Sequence, residues 1–172
     1  VLEDPQQSLT LADVQKPEHA TRFKAVAEPD RQLGFGVTES AYWLKLHLNN
    51  SSPAPREVML EITFPRLGHL DFHVLSADRH LQSSQTGQLL PFAQRPYPHH
   101  FFVFPIKTPA QTTQTVYTRV QTGTTMNVPA RLWSREAFDI YERGDYVSQA
   151  LYFGMVLAMA LFNLLLYFAL RD

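Results

Sequence analysis

The stretch from Gln149 to Asp172 reads QALYFGMVLAMALFNLLLYFALRD, and no residue between Tyr146 and Leu170 carries a charge. An α-helix rises about 1.5 Å per residue, so about 20 residues cross a hydrocarbon core of roughly 30 Å. The uncharged run is long enough to span that thickness with some tilt, and soluble core helices rarely run so far without a charge. Residues 146–170 are therefore predicted to form a transmembrane helix, with Arg171 and Asp172 returning the chain to water. Ala150, Gly154 and Ala158 recur every four residues, which puts small side chains on one stripe where a second helix can approach closely. Asn163 sits within the apolar run, where an unpaired amide is costly. Together they favour the first helix of a bundle over a single-pass anchor that tolerates one Asn.

Upstream, the period changes from helical to two. AYWLKLHL sets Tyr42, Leu44, Leu46 and Leu48 against Trp43, Lys45 and His47. EVMLEITF sets Val58, Leu60, Ile62 and Phe64 against Met59, Glu61 and Thr63, and HLDFHVLS sets Leu70, Phe72 and Val74 against His69, Asp71 and His73. HHFFVFPI and TVYTRVQT continue the pattern, the latter with Val116, Thr118 and Val120 opposite Tyr117 and Arg119. Such alternation means one packed face and one wet face, as in antiparallel sheets. NNSSPAP, SADRH, QTGQ and TPAQTT supply turn chemistry between the runs, and the Asn-x-Ser sequons in NNSS read as turn. Short strands at close spacing, without helical pattern between them, predict an all-β sandwich over residues 1–133. SLTLADV reads as a capped helical turn near the start. Residues 134–145 form a short charged connector, with Ser134 as N-cap, Phe138 and Tyr141 on one side and Gly144 as a loosening point. Trp133 is expected to close the sandwich beside that connector. No long flexible linker separates sandwich and membrane.

The chain has 172 residues, a formal net charge of −1 and no Cys. Its length suits one domain plus an appendage. Without a basic stripe there is no electrostatic case for nucleic acid, and without Cys there is neither thiolate chemistry nor a disulfide framework. No G-x-S-x-G, H-E-x-x-H or Gly-rich phosphate loop occurs, and the carboxylates are scattered, so the chain is expected to be non-enzymatic and free of cofactors. His69, Asp71 and His73 share one strand face at about 6–7 Å intervals, a donor set that suits zinc. The alternative, a polar wet face, is the simpler reading, and no metal is assigned. Trp43, Lys45 and His47 share the wet face of one strand, and Tyr117 and Arg119 that of another. If those strands are neighbours, flat rings and cationic donors combine into a surface for a sugar or a small acid. These five residues are the candidate ligand site. The competing reading packs Trp43 under a loop and leaves the charges as ordinary sheet surface.

The ordered series LEDPQQSLTLADV, LGFGVTESAYWLKLHLNN, LLPFAQRPYPHHFFVFPI, VYTRVQT and VPARLWSREAF resembles the periplasmic type-2 domain of bacterial seven-transmembrane receptors with diverse intracellular signalling modules. LYFGMVLAMALFNLLLYFALRD resembles the first of that family's seven helices. The resemblance covers nearly the whole chain. It implies a jelly-roll sensor domain similar to carbohydrate-binding modules, lying in the periplasm and anchored in the inner membrane. Kinase, diguanylate cyclase or phosphatase modules are the outputs it implies elsewhere in such receptors. A carbohydrate or small-molecule ligand and a receptor homo- or hetero-dimer are the expected partners, besides the membrane itself. Arg95 and His99 match positions characteristic of the family, with ordering of the PFAQRPYPHH loop or ligand contact as their expected roles. A membrane-tethered carbohydrate-binding module and a protein-interaction domain are the alternatives to a sensor. Arg171 beyond the helix and Arg143 before it oppose each other as orientation signals, so the resemblance carries the topology.

Overall fold

Each alternating run resolves into an antiparallel strand. The computed structural model describes residues 1–26, 33–76 and 81–170, so residues 77–80 of the SADRH turn and the exit at residues 171–172 lie outside the described residues. Two compact units are distinguished, Val1–Trp133 and Ser134–Asp172. Up to Ser134 the chain forms β1 (Leu2–Asp4), α1 (Leu11–Val14), α2 (Pro17–Ala20), β2 (Leu33–Val37), β3 (Ala41–Asn50), β4 (Arg56–Ile62), β5 (His69–Leu75), β6 (Leu81–Thr86), β7 (Phe102–Thr108), β8 (Thr112–Gln121), β9 (Thr125–Val128) and β10 (Ala130–Ser134).

Among the described residues three sheets form: a five-stranded one in the order β1-β3-β8-β5-β6, a three-stranded one in the order β10-β4-β7, and the pair β2-β9. The inner faces of the two larger sheets are the apolar halves of the alternation. Leu70, Phe72, Val74, Val116 and Val120 meet Leu60, Ile62, Phe102, Phe104 and Ile106 in one core. Phe72 and Phe104 stack across the gap with centroids 4.1 Å apart. This is a β-sandwich, held by burial of both inner faces at roughly 25 cal/mol per Å² of apolar surface. Backbone chemistry at the turns fits the sequence. Asn50 is buried and donates to the carbonyls of Ala54, Thr108 and Pro109 at 3.0, 3.1 and 2.9 Å, while accepting from Ser52 N–H at 3.0 Å. It thereby ties NNSSPAP to the end of β7. Gly87 has φ +151°, and a Cβ there would lie 2.1 Å from the Gly68 carbonyl oxygen, so only glycine fits.

Several strands carry too little alternation to be legible: β1, β2, β6, β9 and β10. β6, Leu-Gln-Ser-Ser-Gln-Thr, is an edge strand with mostly exposed side chains, so no hydrophobic period marks it. Part of the second face of the three-stranded sheet is not wet. Met59 and Glu61 are both fully buried, and Glu61 Oε2 accepts a 2.9 Å hydrogen bond from the Trp133 indole.

The second unit is one helix, α3 (Arg135–Ala169), whose N-cap Ser134 accepts from the Ala137 N–H at 3.2 Å through its hydroxyl. The loosening expected at Gly144 does not occur. A glycine costs a helix interior about 1 kcal/mol relative to Ala, too little to break a 35-residue helix. The apolar part has a mean hydropathy of 2.0 over its most apolar window, and none of that window is buried within the protein. Its length and apolarity are those of a helix able to span a membrane. Asn163 turns its amide back along the helix and donates to the Met159 carbonyl at 2.8 Å, which satisfies one donor without a neighbouring helix.

Candidate functional site: the outer face of the five-stranded sheet

β3 and β8 are direct neighbours, in the register Trp43↔Arg119, Lys45↔Tyr117 and His47↔Thr115. The sequence candidates therefore do share one face. β5 flanks β8 on its other side, with Asp71↔Arg119 and His73↔Tyr117. This adds Asp71 and His73 to the same surface, as side chains directly opposite in neighbouring strands do.

That face is not open. Trp43 is 2% exposed and Tyr117 6%, which corrects the expectation of a wet aromatic platform. They form a second, smaller core with Leu2 and Val14, against which Leu9, Leu11 and Phe23 pack. The N-terminal segment builds this cover from its own sequence. β1 pairs with β3 through Leu2↔Trp43, Glu3↔Tyr42 and Asp4↔Ala41. The buried Asp4 carboxylate then accepts from the Ser8 and Leu9 N–H groups at 3.3 and 2.9 Å and turns the chain back. Thr10 caps α1 in a reciprocal box with Asp13: Asp13 N–H donates to the Thr10 hydroxyl at 3.3 Å, and Thr10 N–H donates to the Asp13 carboxylate at 3.1 Å. Hydrogen bonds from Lys16 and Thr10 hold the Asp13 carboxyl well below the usual carboxylate range. The capped turn read in SLTLADV is this element, and the apolar side chains around it explain why Trp43 lies underneath.

Around the cover the face is polar. Lys45 Nζ lies 5.8 Å from the ring centroids of both Phe23 and Tyr117, within cation–π range. Arg119 reaches the Asp71 carboxylate at 3.7 Å and the Gln7 carbonyl at 3.5 Å, both long contacts. His47 Nδ1 and the Thr115 hydroxyl are 3.2 Å apart, and His73 Nδ1 and the Ser83 hydroxyl 2.8 Å. Burial lowers the His73 pKa from 6.5, and the Asp71 charge opposes this. Among the described residues the buried Trp43 indole nitrogen has no hydrogen-bond partner, and its ring lies 6.2 Å from the His73 ring at 19°. Among the described residues no group of three His, Asp or Glu side chains is arranged to hold a metal.

Arg95 and His99 lie elsewhere, in the loop before β7. Arg95 donates from Nη1 to the carbonyls of His99, His100 and Phe101, at 2.5, 2.9 and 3.5 Å. Its guanidinium sits 4.8 Å from the Phe92 ring and 4.7 Å from that of Phe102. His99 is buried and its Nδ1 accepts from the Phe101 N–H at 3.2 Å. Both residues thus hold backbone. Sequence reasoning missed Asp71 and His73 as members of the candidate face, although the HLDFHV alternation marks them, because strand order is not written in local pattern. It also missed Phe23 and the cover, whose only signal is the spacing of apolar residues through a polar N-terminus.

The described residues form a β-sandwich followed by an apolar helix of membrane-spanning length. The family model of the 7TMR-DISM extracellular 2 domain matches residues 1–134, and the chain belongs to that family of extracellular receptor domains. No curated protein matches the chain.

Proposed function

We propose that the sandwich is the ligand-sensing ectodomain of a multi-pass bacterial receptor, lying in the periplasm above the inner membrane, with residues 146–170 as its first transmembrane helix. The ligand is a carbohydrate or small molecule, and this part of the receptor has no catalytic role. Alternation of successive strands between the two sheets, β3 to β4 to β5 and β6 to β7 to β8, supports a jelly-roll wrap like that of carbohydrate-binding modules. On the outer face Lys45, His47 and Arg119 supply donors around the covered rings of Trp43 and Tyr117, and Asp71 completes the polar set.

One observation carries the signalling reading. β10 ends at Ser134, and Ser134 is itself the N-cap of α3. No residue intervenes between strand and helix, so a displacement of the strand has a direct covalent route into a helix that continues through residues 134–145 into the apolar segment. The test is a panel of glycan fragments and small metabolites titrated onto the chain in lipid nanodiscs, followed by tryptophan fluorescence. A saturable response that falls about a hundredfold in affinity in Arg119→Ala is expected, about 2.7 kcal/mol for a charged donor. Full affinity in that variant moves the ligand off this face. In the receptor, a Gly-Ser spacer inserted after Ser134 should leave affinity intact and abolish output; a normal output sinks the transmission reading.

A further inference from the structure

β6 ends the five-stranded sheet on the side away from β1, paired with β5 from Leu70↔Thr86 to Leu75↔Leu81. Among the described residues, Leu81–Thr86 bond to β5 and, through the Ser83 hydroxyl, to His73, and to nothing else. Every second residue of the strand therefore turns its backbone N–H and C=O outward without a protein partner.

Such an edge invites pairing with another chain, and sequences blunt it with charge, proline or shortness. The other edges of the two larger sheets are blunted in these ways. β7 carries Pro105 and Lys107, and β10 carries Arg131. β1 has three residues, two of them acidic, and the stretch of β3 that it leaves uncovered carries Lys45 and His47. β6, Leu-Gln-Ser-Ser-Gln-Thr, is six residues long and has neither a charge nor a proline.

We propose that β6 pairs antiparallel with β6 of a second copy of this chain. Residues directly opposite across a sheet share a face, so a two-fold axis between the strands sets one residue against itself. Ser84 is that residue. The Ser83 hydroxyl is engaged by His73, whereas among the described residues that of Ser84 has no partner and can exchange hydrogen bonds with its counterpart. Ser83 then faces Gln85 of the second copy and Gln82 faces Thr86, so no like charges meet along Gln82–Thr86. An edge that carries no charge offers nothing to select an acidic or basic peptide and nothing to repel its own copy. So short a ladder buries much less than the roughly 1,200 Å² of a stable soluble complex. The pairing therefore needs copies concentrated in a shared membrane, which α3 has the length and apolarity to enter.

The sequence has no Cys, so a single introduced cysteine reports its own self-contact. Gln82→Cys, Ser83→Cys, Ser84→Cys and Gln85→Cys are compared in the full chain in lipid vesicles under a disulfide-forming oxidant, with Lys107→Cys on β7 as the control edge. On the two-fold axis the Cα atoms lie about 4.5–5.5 Å apart, one residue away about 8 Å, and a disulfide closes only within about 7 Å. Ser84→Cys should therefore give at least about tenfold more covalent dimer than its neighbours or the control. Gln82→Lys with Gln85→Lys, added to Ser84→Cys, should cut that yield about tenfold through like-charge repulsion. Mixing those copies with copies carrying Gln82→Glu and Gln85→Glu should restore it, a pattern that neither misfolding nor self-association of α3 alone produces. A flat profile, a maximum away from Ser84, a yield no greater than at Lys107→Cys, or a lysine pair without effect overturns the pairing. So does a mixture that fails to restore the yield.

Discussion

The two faces of the five-stranded sheet are both buried where β3 crosses β8, and they are buried by different means. On the inner face Val116 and Val120 pack in register with neighbouring strands against a second sheet. On the outer face Trp43 and Tyr117 are covered by the first 23 residues, a piece with one short strand and two four-residue helices. The inner core has sheet on both sides. The outer core depends on a carboxylate turn at Asp4 and a capping box at Thr10. Period-two alternation therefore identifies which residues share a face, and says nothing about whether that face meets water.

The sharpest way to break the comparison is to hollow each core in turn. Phe72→Ala removes a side chain that is 2% exposed and stacked on Phe104. It should cost about 3–5 kcal/mol and lower the unfolding midpoint of the whole sandwich. Leu2→Ala removes a residue that is 3% exposed, from the outer core only. The expected loss is smaller, about 2–3 kcal/mol, and local. The sequence contains two tryptophans, so in a Trp133→Phe background Trp43 fluorescence reports the outer core alone. In Leu2→Ala that signal should change at lower urea than the far-ultraviolet dichroism of the sheets. Coincident transitions would mean that the cover and the sandwich are one cooperative unit.

Five strands and the apolar helix were legible because each carries an unbroken period, and the turns because Asn50 and Gly87 stand where backbone geometry requires them. The wet-face reading failed at Trp43, Tyr117, Met59 and Glu61 for one reason. Each lies opposite an inward-facing apolar set, yet is covered by an element far away in sequence or hard to read. For Trp43 that cover is the N-terminal segment; for Glu61 a hydrogen bond comes from Trp133, 72 residues on. The joining of β5 to β8 is likewise a matter of strand order, so Asp71 and His73 could not be placed beside Arg119 from local pattern.

A milder perturbation sharpens the same contrast. Thr10→Ala removes the hydroxyl that caps α1 and leaves every apolar contact of both cores in place. N-cap losses typically cost about 1 kcal/mol. Amide hydrogen exchange should accelerate in residues 11–14 and around Trp43, while β5 and β7 keep their protection. Faster exchange across β5 and β7 would mean that the cap supports the whole sandwich.

The smallest expected effect lies at the boundary between covered and open outer face. His73 is opposite the buried Tyr117 on one side and Ser83 on the other, with Asp71 two residues away on its own strand and Lys45 and Arg119 on the neighbouring elements. Burial lowers its pKa from 6.5 more than Asp71 raises it. The native state therefore binds a proton less readily than the unfolded chain. Above pH 6.5 both forms are neutral and His73 stabilises the fold to the full extent. As pH falls below 6.5 the unfolded chain takes up the proton first, so stability declines until the native pKa is passed, and is flat beyond it. His73→Gln cannot titrate. The stability difference between wild type and His73→Gln, from urea midpoints between pH 8 and pH 5, should move against the wild type below about pH 6.5. Contributions shared by wild type and variant cancel in the difference. Parallel curves across that range would place His73 in water, and with it the edge of the cover would have to lie nearer to Trp43.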